Sequence, residues 1–113
     1  MENKYELVVV VINNGFTDLV MEGARAAGAR GGTVLHARGT TNHDNEKFFG
    51  ISLQSDKEMV LIIVEKELKD AVMREVYKKA GLSTKGQGIA FTMPVEDVVG
   101  IITSNDTVKG LED

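Results

Sequence analysis

Apolar and polar positions alternate between two periods along this chain, and the order of the periods outlines a fold. Tyr5 to Ile12 is a short run of β-branched and apolar residues, the pattern of a buried strand, and Asn13-Asn14-Gly15 breaks it. From Phe16 the apolar residues fall at three- and four-residue steps, Phe16, Leu19, Val20, Ala24 and Ala27, the stripe of an amphipathic helix. Asn14 or Thr17 is placed to cap its start and Gly28 to end it. Gly32 to Arg38 reads as a second strand. The same order then recurs. Glu58 to Val64 is an apolar strand, and Glu65 to Ala80 is a helix with Leu68, Val72, Val76 and Ala80 on one face. Acidic Glu65 and Glu67 open that helix and Lys78 and Lys79 close it, as its dipole favours. Gly81 stops it, Gln87 to Met93 forms a fourth strand, and Pro94 marks its exit. Val98 to Thr103 reads as a short extra edge strand before a polar tail.

The two halves echo each other at their turns. Ala27-Gly28-Ala29-Arg30-Gly31-Gly32-Thr33 and Ala80-Gly81-Leu82-Ser83-Thr84-Lys85-Gly86-Gln87-Gly88 each run from helix end through a glycine-bearing turn into a strand. The expected fold is an α+β, ferredoxin-like βαββαβ sandwich: an antiparallel four-stranded sheet with two helices on one face. Residues 1–113 are expected to form one domain. The strands Val8-Val9-Val10-Val11-Ile12 and Val60-Leu61-Ile62-Ile63-Val64 offer water no polar alternation. The sheet face opposite the helices should therefore need cover, and copies of the chain itself are the expected source. Between the halves, residues 40–56 are too polar for core and too long for a tight hairpin, which predicts an exposed loop. Phe48-Phe49 stands out in it as an anchor for the loop base or a partner-binding tip.

Composition narrows the function. Hydrophobic residues make up 42% of the chain and aromatics 5%, with no Trp, so the core must rest on Val, Ile, Leu, Met and Ala. A formal charge of −4 argues against a nucleic-acid surface. The absence of cysteine removes disulfides, thiol catalysis and cysteine metal sites. No secretion signal is visible after Met1, and the apolar runs are too short to span a bilayer, so the expected location is the cytoplasm. His36 and His43 lack metal-ligand spacing, and no Ser–His–acid set is present, so the chain is expected not to be an enzyme. The candidate chemistry lies in the glycine turns. Glycines let the backbone approach a ligand and turn its N–H groups inward as an anion nest. Arg38 and Lys85 supply charge that a nest alone lacks.

The segments Gly32-Thr33-Val34, Arg38-Gly39 with the long loop after it, Gly86-Gln87-Gly88-Ile89-Ala90-Phe91, and Pro94-Val95-Glu96-Asp97-Val98-Val99-Gly100-Ile101 together resemble the PII nitrogen-regulatory signalling proteins. The likeness runs from Tyr5 to Thr103. It implies a homotrimer whose sheets form an inner barrel. It also implies an adenine nucleotide bound between subunits, and a loop that docks on a membrane transporter or a metabolic enzyme. Thr33 would match the family's threonine near the adenine. Arg38, Gly39 and Thr40 would match the loop base beside the phosphates. Lys85, Gly86, Gln87, Gly88 and Ile89 would form the phosphate turn. Asn42, His43, Asp44, Lys47 and Phe48 would belong to the partner-binding loop. Where the family carries a phosphate-binding lysine this chain has Ile89, and where it carries two arginines on the last strand this chain has Gly100 and Ile102. The loop is shorter and has no tyrosine, which argues against tyrosine modification there. With three cations fewer, ADP, AMP, a cyclic nucleotide or a small anion is expected in preference to ATP. Two other classes share the architecture: trimeric divalent-metal-binding proteins of the CutA kind, and acylphosphatases. The latter need a cationic first turn, which Asn13-Asn14-Gly15-Phe16 does not provide.

Overall fold

The computed structural model describes residues 4–40, 47–48, 51–52 and 55–101. In chain order the elements are β1 (Tyr5–Asn13), α1 (Thr17–Ala26), β2 (Thr33–Gly39), β3 (Lys47–Phe48), β4 (Ile51–Ser52), β5 (Ser55–Glu65), α2 (Lys69–Lys79) and β6 (Gly88–Val95). A 3-10 turn over Lys66–Leu68 precedes α2. The four long strands form one sheet in the order β2-β5-β1-β6. Every neighbouring pair is antiparallel, with Val10 level with Val60 on one side and Ala90 on the other. With the two helices they complete the βαββαβ order of the expected ferredoxin-like α+β fold.

The core lies between the helices and one face of the two central strands. Val8, Val10 and Ile12 of β1 and Val60 and Ile62 of β5 have no exposed surface; from the helices Val20, Ala24, Val72 and Val76 are equally sealed. The helices approach closely at Gly23, where a Cβ would stand 2.7 Å from the Glu75 carbonyl oxygen, so no larger residue fits that crossing. Alternation sends the odd-numbered residues of β1 and β5 to the other face. There Leu35, Ile63, Ile89, Phe91 and Met93 keep 40–61% of their surface exposed. The open face is apolar, as its strands predict.

Several local expectations are corrected. Residue Phe16, and neither Asn14 nor Thr17, occupies the cap position of α1, with no side-chain cap bond. Leu19 lies at the margin of the α1 stripe and is 37% exposed, while Met21 is buried. Pro94 lies inside β6 rather than beyond it, which an edge strand tolerates because one side of its backbone carries no ladder. Residues 98–101 are not a strand. Within the expected loop β3 and β4 form a small hairpin, with Phe48 paired to Ile51. Two-residue strands carry no period that a sequence pattern can report. Ile102 and Thr103 lie outside the described residues.

Candidate ligand site at the two ends of the sheet

The candidate residues fall into two groups at different levels of the sheet. Thr33, the first residue of β2, is level with Leu61. It lines a cleft of about 530 Å³ with Leu7, Gly32, Leu61, Ile63 and Glu65. The first glycine turn forms one wall, Gly28 and Gly31 included. The cleft is walled chiefly by hydrocarbon and backbone, and suits a flat ring with a few polar edges.

The second group lies at the opposite end of the sheet. Gly39 pairs with Ser55, Arg38 with Asp56, and Asn13 with Lys57, while Ile12 pairs with Gly88 on the other side of β1. Arg38 lines a cleft of about 540 Å³ with Asn14, His36, Asp56 and Lys57. Arg38 and Thr40 are exposed, and Gly39 is partly buried. From Thr33 to Gly39 the strand advances about 20 Å, and three strand spacings, about 14 Å, separate β2 from β6. One chain therefore does not gather Thr33, Arg38 and the Gly86 turn around a single ligand. Each is presented at its own margin.

The turn of residues 81–87 is closed by its own backbone. Leu82 N–H donates to the Tyr77 carbonyl at 3.1 Å, Thr84 N–H to Gly81 at 2.9 Å, and Gln87 N–H to Thr84 at 3.1 Å. The amides of Ser83, Lys85 and Gly86 have no partner among the described residues. Gly86 has φ +83°, a left-handed conformation, with nothing within 4 Å of where a Cβ would stand, so its contribution is the turn shape itself. Gly88 serves a different need. A Cβ there would collide with the Val11 carbonyl oxygen and stand 2.9 Å from Ile12 Cα, so β1 and β6 pair at this end only through glycine.

Gln87, expected to face a ligand, is turned inward and is only 9% exposed. Its Nε2 donates to the Ala80 carbonyl at 2.9 Å, and its Oε1 accepts from Asn13 Nδ2 at 3.0 Å. Lys85 and Gly86, by contrast, are exposed. Ile89 points to the open apolar face and is 61% exposed. Two polar residues that periodicity passed over belong to this end. Lys57 brings its ammonium to Asn13 Oδ1, and Asn13 Nδ2 also donates to the Gly86 carbonyl at 3.1 Å. The only signal in the sequence is Asn13's place as the first polar residue after an apolar strand.

Lys47 and Phe48 are placed by their backbone in the β3–β4 hairpin. Asn42, His43 and Asp44 lie outside the described residues. Among the described residues, no group of three or more His, Asp or Glu is placed to hold a metal ion, and no helix is long and apolar enough to cross a membrane.

Comparison with known proteins agrees with the fold. The family model described as nitrogen regulatory protein P-II matches residues 5–105. A nitrogen regulatory protein P-II homolog from Oryza sativa subsp. japonica is 29% identical over 109 residues, 90% of this chain and 51% of the relative. The chain thus spans about half the length of that curated relative. The crystal structure of Arabidopsis thaliana PII bound to citrate superimposes with a TM-score of 0.70 at 25% identity, covering 88% of this chain and 85% of that one. With a family match across nearly all of its length and the same fold in a solved member, the chain belongs to the nitrogen regulatory protein P-II family.

Proposed function

We propose that this chain is a ligand-sensing regulator that works as a cytoplasmic homotrimer. A small ligand binds in clefts between copies, and residues 40–56 carry its presence to a target such as a membrane transporter or a metabolic enzyme. The chain performs no catalysis in this reading. The carrying observation is the separation of the two candidate groups. The largely apolar cleft at Thr33 and the cationic, amide-bearing end at Arg38, Lys57, Lys85 and Gly86 stand at different levels of one sheet. A ligand with an apolar ring and an anionic tail meets both only where one copy's Thr33 cleft adjoins another copy's glycine turn. The exposed Leu35, Ile63, Ile89, Phe91 and Met93 give the copies a reason to associate.

The charge available favours a modest anion. Arg38 and Lys57 share their cleft with the carboxylate of Asp56, so ADP or AMP fits better than a triphosphate. The Arabidopsis thaliana PII is bound to citrate in its crystal structure, which makes a polycarboxylate a further candidate for the cationic end. Calorimetric titration with ATP, ADP, AMP, cyclic nucleotides, bicarbonate and citrate, alongside light scattering, tests the reading. Trimers that take ADP or AMP more tightly than ATP support it. Intact trimers that take none of these ligands remove the ligand part, and a monomer removes the inter-subunit site.

A further inference from the structure

Asn13 stands between two parts of the chain that flank β1 on opposite sides. It is the last residue of β1, level with Lys57, and β5 and β6 lie on either side of it. Its carboxamide is used at both ends. Oδ1 accepts from the Lys57 ammonium; Nδ2 donates to the Gly86 carbonyl at 3.1 Å and to Gln87 Oε1 at 3.0 Å. Its backbone N–H adds a bond to the Gln87 carbonyl at 3.1 Å. Beyond Lys57 the contact continues to the loop base. A Cβ on Gly39 would stand 2.9 Å from Lys57 Cε and 3.2 Å from Cγ, so the lysine stem lies over the Gly39 backbone. Gly39, Lys57, Asn13, Gly86 and Gln87 form one line of contact across the end of the sheet.

The chemistry allows only one orientation of the carboxamide. Its oxygen must face the ammonium and its nitrogen must face two carbonyl oxygens, since the reverse would set donor against donor and acceptor against acceptor. The amide is polarised between a cation and two acceptors, so each bond strengthens the other. Neither common substitute reproduces this. Aspartate keeps the partner of Lys57 but sets an oxygen against Gly86 and Gln87, and leucine loses both sides.

We propose that Asn13 is a positioning residue that couples the glycine turn to the base of the 40–56 loop through Lys57. An anion on the Lys85 and Gly86 amides competes for the Lys57 ammonium, and the lysine then leaves Asn13 and uncovers Gly39. This rests on the reading that the turn is part of the ligand site, but the coupling itself is present in the free protein.

Hydrogen–deuterium exchange on the free protein tests the coupling without a ligand. Lys57→Met keeps the stem and removes the ammonium. It is expected to speed exchange within 85–88, read at the hydrogen-bonded Gln87 amide, by about threefold or more, the effect of weakening one or two hydrogen bonds. In an Asn13→Leu background the same Lys57→Met change should leave that segment unaltered. Should Asn13→Leu not fold, Asn13→Asp replaces it: the turn should then exchange fast whether residue 57 is Lys or Met. The proposal is overturned if Lys57→Met leaves 85–88 unchanged in the otherwise unaltered protein, or speeds it equally in both backgrounds. A second arm adds ADP or pyrophosphate. If either binds, it should alter exchange at 38–40 in the unaltered protein and not in Asn13→Leu; an equal change in both overturns the proposal. If neither binds, the ligand reading fails, and the first arm still decides the coupling.

Discussion

Gln87 reaches back seven residues to cap the helix that precedes it: its Nε2 donates to the Ala80 carbonyl at 2.9 Å. Ala80 ends α2 and is 1% exposed, so without this donor its carbonyl would be left inside the protein with no partner. The glycine turn is therefore held from within, and its outward amides are free for other work.

Gln87→Leu should leave the Ala80 carbonyl unpaired and Asn13 Nδ2 with one acceptor fewer. The expected loss is about 1–3 kcal/mol, the cost of a buried unpaired polar group. Urea denaturation measures it, and no change in midpoint would contradict this account of the turn.

The two glycines of the turn should respond differently. At Gly88 an alanine meets the β1 backbone, which cannot step aside, so Gly88→Ala should destabilise by about 1–3 kcal/mol and loosen the β1–β6 end. Gly86→Ala meets nothing and bears only the left-handed backbone, about 1–2 kcal/mol. Pairing-specific exchange at Ile12 and Gly88 separates the two, rising strongly for Gly88→Ala alone.

The open face can be tested by charge. Phe91 stands opposite Val9 at its centre and is 40% exposed. Phe91→Glu is expected to convert the proposed trimer to monomers in light scattering, whereas Lys78→Glu on the exposed end of α2 should leave the mass unchanged. A trimer that survives Phe91→Glu would move the interface elsewhere.

Arg38 is exposed, so Arg38→Gln should leave thermal stability unaltered. Loss of its charge should weaken ADP binding by about tenfold or more, the effect of one charge-assisted hydrogen bond. Titration calorimetry reads the change. Equal affinity for both proteins would separate Arg38 from the ligand.

Glu6 is the anomaly of the core. It is 7% exposed, and its Oε2 has no hydrogen-bond partner among the described residues. Glu6→Leu should therefore raise stability, by about 1–3 kcal/mol, because a poorly partnered polar group is replaced by one that needs no partner. A fall in the urea midpoint would mean that the carboxylate has a partner in the assembly.

By itself the sequence determined the alternation of strands and helices, the glycine stops at Gly28 and Gly81, and the apolar character of both sheet faces. These are local properties: periods of 2 and 3.6 residues and the conformational reach of glycine are written in adjacent residues. It also marked Arg38, Lys85 and Gly86 as the candidate chemistry. Only the tertiary structure decided that Gln87 turns inward, that Gly88 is required by the passage of β1, and that Asn13 and Lys57 belong to the same end as the glycine turn. Asn13, for one, is joined to residues 44 and 74 positions away. No local pattern carries such contacts, because they arise when antiparallel pairing brings the end of one strand level with the start of another.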